Sequence, residues 1–465
     1  MKGDFSRLTF DPKKHYSSVR MQQGRVQLDA DWNEQIEIQA YQHRTAAMDT
    51  IGPSGVPQLG GGFEILTVGQ DLAISAGRIY VDGILCELEA SPLPIESFSQ
   101  PNQVRLPDLV VDGRRLDAGQ WVEISMGKEP PTQVQVTAMD PDGRTLTLSS
   151  EIKDALRGSF AELRRVTTFY TQADLPLGED ANVEDGIYLV YLDVWPRHVS
   201  ALEDPTIREV ALGGADTATR VRTTWQVKRL PLESRPDGRG DIPEWEMLVQ
   251  PTLGRLAVKP APSLYLTENQ LYRIEVHTGS EGETTSFKWS RDNGSVVAKV
   301  SAPIAAESIT IEDMGRDPST AFVPGKWIEI SSREWELQGR RGICVRLVDL
   351  VGQTLTFDAS TLDQGERLPT FSPTGLLTVR QWEDEPQPIG EGVNLGNGIV
   401  LTFSEGTYRG GDYWLAPVRA ADNSIEWPQD SQGNPQPQAP HGVQHHCSKL
   451  ALAELKDGQW SVLED

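Results

Sequence analysis

The stretch AGQWVEIS at residues 118–125 returns as PGKWIEIS at residues 324–331, and the reading of this echo decides the fold. Each copy leads into an apolar-alternating run that turns and comes back, TQVQVTAMDPDGRTLTLSS in the first and RGICVRLVDLVGQTLTFDAS in the second. Each then reaches a closing segment, AELRRV at 161–166 and LLTVRQW at 376–382. Alternation of apolar and polar residues marks a half-buried strand. Three matches in the same order therefore describe a duplicated module of about 50 to 60 residues, of small β-barrel type. In this reading Gly119 or Gly325 turns the chain and Trp121 or Trp327 anchors the core.

The surrounding sequence has the same character. In LAISAGRIYVDGILCELE, residues 72–89, two alternating runs flank Asp82-Gly83, a pair whose tolerance of positive φ favours a type I′ hairpin. A second reversal is expected in FKWSRDNGSVVAKV at Asp292, Asn293 and Gly294. GIYLVYLDVW at 186–195 and NQLYRIEVHT at 269–278 read as long strands. The exception lies near the start. In GRVQLDADWNEQ, residues 24–35, Asp29, Asp31 and Asn33 alternate as in a calcium loop, but such a loop needs Gly at its sixth position and Glu at its twelfth. Glu34 and Ala40 stand there instead, so the cage cannot close. The plainer reading is a helix start, with Asp31 as cap and Glu34 as its capping-box partner. Leu28, Trp32, Ile36, Ala40, Ala47 and Ile51 then form one apolar stripe, ended by the breaker GPSG at 52–55.

The fold class expected is mainly β and multidomain, built of small β-barrel or β-sandwich modules with an N-terminal helix and an internal duplication. The boundaries read as a docking arm and helix at 1–55, a hairpin segment at 56–100, barrel modules at 101–168 and 301–385, a central β domain at 169–300, and a C-terminal β segment at 386–465. The last of these includes EWPQDSQGNPQPQAPHG, a Pro- and Gln-rich loop too polar to pack, expected to lie exposed and to order only against a neighbour.

Composition narrows the function. The 465 residues carry 67 acidic against 43 basic side chains, a net charge of −24, with no basic run to hold a phosphate backbone. Nucleic acid is not expected as a partner, and anionic lipid is a poor one for the chain taken alone. The start lacks the apolar core of a signal peptide and no window spans a bilayer, so a soluble cytoplasmic chain without direct membrane insertion is expected. Three scattered cysteines, Cys86, Cys344 and Cys447, do not make a disulfide framework.

No catalytic signature is present: there is no G-x-S-x-G, H-E-x-x-H, Walker loop or G-x-G-x-x-G after a strand. LGGADTATR at 212–220 lacks the Lys-Ser/Thr of a phosphate loop and reads as a surface turn. The one metal candidate is His441, His445, His446 and Cys447 in HGVQHHC, set against loop histidines with a buried thiol, because Pro440 and Gly442 oppose the helix that its spacing needs. Glycosidase chemistry needs two carboxylates roughly 5 to 10 Å apart, and among 67 acidic residues no pair is singled out. No cofactor and no enzymatic activity are expected.

Four collinear segments carry a resemblance: MKGDFSRLTFDPKKHYSSVRMQQGRVQLDADWNEQ at the start, YLVYLDVWPRHVSALEDPTIREVALGGADTATR at 188–220, FKWSRDNGSV at 287–296 and GTYRGGDYWLAPVRA at 406–420. Together they resemble a bacterial family encoded beside phage-tail-like contractile injection systems. The resemblance implies a structural component at the baseplate or its periphery, fibre-like or cage-like, with baseplate, spike or sheath-tube proteins as partners. Many copies in a symmetric assembly are implied, in a particle that is released or moored to a membrane through partners. Phe5, Phe10, Tyr16, Trp32 and Ile36 are the interface candidates, docking onto a neighbour or onto the chain's own β-body, which removal of residues 1–55 should leave soluble. The alternative is a glycan- or surface-binding module using Tyr413 and Trp414 in an exposed loop. A polysaccharide hydrolase is the third and least favoured reading.

Overall fold

The computed structural model describes residues 1–140, 143–176, 183–236, 241–282, 284–312, 321–363, 365–373, 375–396 and 398–464. The chain is mainly β, in seven sheets among the described residues, with one long helix, α1, at Asp29–Ile51.

The duplication is structural. The first module has strands β1 (Leu93–Pro94), β2 (Gln103–Arg105), β3 (Trp121–Ser125), β4 (Thr132–Met139), β5 (Thr145–Leu148) and β6 (Glu162–Thr168). The second has β7 (Val297–Lys299), β8 (Ser308–Thr310), β9 (Trp327–Ser332), β10 (Ile343–Val351), β11 (Thr354–Asp358) and β12 (Leu377–Trp382). The first is ordered β1-β6-β3-β4-β5-β2 and the second β7-β12-β9-β10-β11-β8, the same order from the same chain sequence. The agreement extends to single residues. Gly119 has φ +91° and Gly325 φ +92°, and their N–H groups donate to Val136 O at 2.7 Å and Leu347 O at 2.8 Å. Immediately beyond, both β4 and β10 carry a bulge, between Val136 and Ala138 and between Leu347 and Asp349.

Both sheets curl back on themselves. The segment Ser97–Gln100 that follows β1 pairs with β2, while Ser301 N donates to Thr310 O at 2.8 Å and Glu312 N to Lys299 O at 2.9 Å beside β7 and β8. Curling leaves one inward row per strand. It is filled by Val122, Ile124, Val134 and Val136 in the first module and by Ile328, Ile330, Val345 and Leu347 in the second. The tryptophans do not anchor these cores as expected. Side chains alternate along a strand, so with Val122 and Ile328 inward, Trp121 and Trp327 fall on the other face and are half-buried. Between β4 and β5, Pro141 and Asp142 of the quoted repeat lie outside the described residues.

The chain divides into two compact units, each assembled from separated stretches. One comprises Met1–Gln42, Trp195–Arg222 and Gln250–Gln444, and the other His43–Val194, Thr223–Val249 and His445–Asp465. The expected central domain 169–300 is therefore shared between them. The reason is long-range pairing: strand Gly186–Val199 takes as neighbour His446–Lys456, from Gly186↔Leu455 to Val194↔His446. The second barrel module belongs to the first unit, together with a core around Tyr272, Phe287, Trp289, Phe403 and Trp414. The first barrel module belongs to the second unit, with a core that includes Phe63, Val190, Leu192, Val194 and Ala453.

Local turn chemistry reads through at Asp82-Gly83, where φ is +46° and +73° between paired strands Gly77–Val81 and Ile84–Leu88. The second expected hairpin is different. The chain does reverse at Asn293 and Gly294, with φ +50° and +63°, but Ser286–Ser290 pairs with Gln270–Thr278 while β7 pairs with β12 in another sheet. The turn passes the chain between two sheets, because each flanking strand finds a longer partner elsewhere. The Pro- and Gln-rich loop lies largely exposed as expected, but it orders without a neighbour. It is strapped to its own unit by Gln438 N to Leu256 O at 2.8 Å, Gln436 N to Pro428 O at 2.8 Å and His441 N to Tyr413 O at 2.7 Å. Backbone groups carry the straps, and the side chains add local turns, with Asp430 accepting from Gln432 N and Asn434 N at 2.8 Å each.

Candidate functional site

Strand Gln270–Thr278 is buried on both faces, so Arg273, Glu275 and His277, at alternate positions, enter the protein interior together. Charges can stay there only if paired. Arg273 Nε donates to Glu275 Oε2 at 2.6 Å. Lys288, from the neighbouring strand, lies 3.3 Å from Glu275 Oε1 and donates also to Glu329 of β9. Glu329 accepts further from Trp382 Nε1 at 2.9 Å and Gly342 N at 3.2 Å.

The N-terminal segment completes the cluster. Lys2 Nζ is 3.1 Å from Glu275 Oε1, the amine of Met1 donates to Tyr413 Oη at 2.8 Å, and Arg273 Nη1 donates to Met1 O at 3.1 Å. Asn293, at the turn between the two sheets, donates from Nδ2 to Gly3 O at 2.9 Å. The Arg273 guanidinium lies 3.7 Å over the Tyr413 ring. Phe5 packs on Leu271, Tyr413 and Leu415. The arm is thus a structural part of this unit, and removal of residues 1–55 would take partners from its buried charges.

Burial acts to raise the Glu275 and Glu329 carboxyls, but the adjoining cations overcome it. Lys2, Arg273 and Lys288 hold Glu275 well below the usual range, and Lys288 with Lys2 holds Glu329 at about 2. Burial pushes His277 and His198 down to about 3, so both are neutral in the folded unit. In all four cases the folded value is depressed, the unfolded chain binds protons first, and stability is lost as pH falls. Unfolding midpoints in urea should therefore decline from about pH 6.5, where unfolded histidine protonates, and further from about pH 4.5 toward pH 2. His277→Gln should flatten the upper limb. A variant whose midpoint falls between pH 7 and 5 as steeply as the unaltered chain would contradict this assignment.

Beyond Phe5 the arm runs against α1. Ser6 donates through N and Oγ to Asp29 at 2.9 and 2.6 Å, Thr9 Oγ1 donates to Glu34 at 2.6 Å, and Phe10 meets Tyr41 at 5.8 Å between ring centroids. The helix begins at Asp29, and Asp29 and Glu34 receive the arm in place of the capping box expected at Asp31. The expected apolar stripe points outward: Leu28, Trp32 and Ile36 are 44%, 60% and 48% exposed, whereas Ala30 and Ile38 are buried. Tyr16 is 60% exposed. Of the five interface candidates, Phe5 and Phe10 therefore serve the chain's own packing, and Tyr16, Trp32 and Ile36 present a free apolar surface. Charge divides along the same segment. Residues 12–28 carry Lys13, Lys14, Arg20 and Arg25 with no acid, while α1 carries Asp29, Asp31, Glu34, Glu37 and Asp49 against Arg44.

Tyr413 and Trp414 are corrected as surface-binding candidates. Gly411, with φ +87°, does turn the chain just before them, but they open strand Tyr413–Arg419 as 8% and 0% exposed residues. Trp414 Nε1 donates to Gln438 O at 2.9 Å beneath the Pro-rich strap. The strand pairs along its edge with Gln270–Thr278, and its side chains are buried on both faces.

The four histidine and cysteine candidates do not form one cluster. His441 stacks on Tyr413 in the first unit, and the other three lie in the second. There His446 Nδ1 meets Asp82 at 2.8 Å, while His445 Nδ1 meets Asp193 at 2.7 Å and Cys447 Sγ donates to the same carboxylate at 3.8 Å. Lys228 Nζ also donates to Asp193 at 2.7 Å. Consecutive strand residues face opposite ways, so His446 turns to Asp82 while His445 and Cys447 share Asp193 with Lys228, and among the described residues no group of three His, Cys, Asp or Glu side chains could hold a metal ion.

No curated protein matches the chain. A match to the Family of unknown function (DUF6519) takes in residues 1–114, 159–238 and 261–457, well over half of the sequence, and the chain belongs to that family.

Proposed function

We propose that this chain is a non-enzymatic structural component of a phage-tail-like contractile injection system, placed at the baseplate or its periphery and held there through its N-terminal arm and helix. The observation that carries the reading is the free apolar surface of Tyr16, Leu28, Trp32 and Ile36, on a segment otherwise tied into its own unit. Leu28, Trp32 and Ile36 stand four residues apart, the spacing of one helix face, and an exposed apolar face of this kind marks an interaction site. The four collinear sequence segments support the choice of particle. A basic arm beside an acidic helix suits contacts repeated between copies, and in a ring such contacts gain by multivalency although each is weak. Baseplate, spike or sheath-tube proteins are the partners in this reading, in a particle assembled in the cytoplasm and then released or moored through partners. Among the described residues no helix is long and apolar enough to cross a membrane.

The test is sedimentation of a gentle lysate of the native host, with mass spectrometry of the fast fraction. The chain should travel with sheath and tube proteins, and Trp32→Glu with Ile36→Glu should move it to the slow fraction without altering its unfolding midpoint. Absence of the unaltered chain from the fast fraction would overturn the reading.

A further inference from the structure

The second unit contains a groove of about 730 Å³, within the roughly 300 to 1,000 Å³ of ligand sites. It is lined by Trp121, Tyr170 and Trp460 together with Gln70, Asp71 and Gln135. The geometry is built from several elements. Trp121 of β3 and Gln135 of β4 stand directly opposite each other. The indole lies against the bare Cα of Gly69, where a Cβ would meet Trp121 Cζ2 at 2.7 Å. Gln135 Nε2 donates to Gly119 O at 2.8 Å, which fixes the amide and leaves its oxygen as an acceptor. Tyr170 is 37% exposed, and its Oη accepts from Arg229 Nη1 at 3.5 Å.

The lining is selective. Aromatic faces offer stacking area, and the amides supply both donors and acceptors. Among the described residues Asp71 is the one charged side chain in the lining. Burial raises its carboxyl above the usual range, against hydrogen bonds from Thr168, Leu72 and Tyr170. Among the described residues no lysine or arginine is part of the lining, and Arg229, which reaches Tyr170 Oη, is stacked on Phe169 at 3.7 Å, so the groove suits a phosphate or another anion poorly. Its polar rim does not suit a lipid chain. The second module diverges here: the residues paired with Trp327 are Arg346 and Trp382, where those paired with Trp121 are Gln135 and Val166.

We propose that this groove binds a neutral oligosaccharide, with Trp121 and Tyr170 stacking on sugar faces and Gln70, Asp71 and Gln135 hydrogen-bonding hydroxyls. None of the groove's lining residues belongs to the arm or the helix, and the proposal does not rest on the assembly reading.

The test uses the isolated full chain on a printed array of neutral and anionic glycans, followed by titration of the strongest neutral hit with tryptophan fluorescence and calorimetry. A neutral glycan should bind and perturb the fluorescence. Tyr170→Ala and Gln135→Ala should each weaken it by about tenfold, the size of one lost contact, with the unfolding midpoint unchanged. Absence of any neutral hit, binding of anionic glycans alone, or affinity unaltered in both variants would overturn the proposal and leave the assembly reading untouched.

Discussion

Glu329→Ala should lower the unfolding free energy of its unit by about 3 to 5 kcal/mol, the penalty for leaving a buried charge without its partner. Glu329 is the acceptor common to Lys288 Nζ, Trp382 Nε1 and the N–H of Gly342. Alanine leaves all three donors buried, and the Lys288 ammonium keeps only Glu275, which it shares with Lys2 and Arg273. Urea unfolding followed by tryptophan fluorescence reads the loss directly, because Trp382 sits in the cluster. The double variant Glu329→Met with Lys288→Met should recover part of the loss, since well-packed apolar side chains often replace a buried pair at little cost. A loss below about 1 kcal/mol for Glu329→Ala would mean that water or neighbouring groups satisfy these donors and that the cluster does not hold the unit together.

Trp414→Ala should be comparable, at about 3 to 5 kcal/mol, the usual result of truncating a large aromatic side chain in a core. Its ring packs near Phe403 and Tyr408, with centroids at 6.0 and 6.2 Å, and its Nε1 holds the Pro-rich strap at Gln438. The contrast with Trp32→Ala makes the measurement informative. Trp32 is 60% exposed, and its truncation should change stability by no more than about 0.5 kcal/mol. Near-equal effects of the two substitutions would restore Trp414 as a surface residue and reopen its role in binding.

Much of the architecture was legible locally. The duplicated module was visible because a turn glycine, an alternating strand and a return run recur in the same order, and each is a short-range requirement of a small barrel. The Asp82-Gly83 hairpin was visible because positive φ restricts residue choice. The docking role of the arm was half legible: apolar residues marked the segment, but periodicity alone does not say which apolar residues face inward. Phe5 and Phe10 turned in and Trp32 and Ile36 turned out. The charge cluster left only a faint signal, charged residues within the apolar strand at 269–278, and single charges in a strand ordinarily mean a solvated face.

By itself the sequence determined the β-rich class, the turns, the repeat and the absence of the catalytic signatures sought, because these follow from side-chain patterning and backbone conformation within a few residues. The tertiary structure alone decided that strand 186–199 pairs with 446–456, that the chain is shared between two interleaved units, that Trp414 is core, and that Glu275 and Glu329 survive burial. The physical reason is common to all four. Hydrogen-bond partners in a sheet and counter-charges in an interior are chosen by energy gained between residues far apart in the chain, and the local pattern is the same whichever partner is chosen.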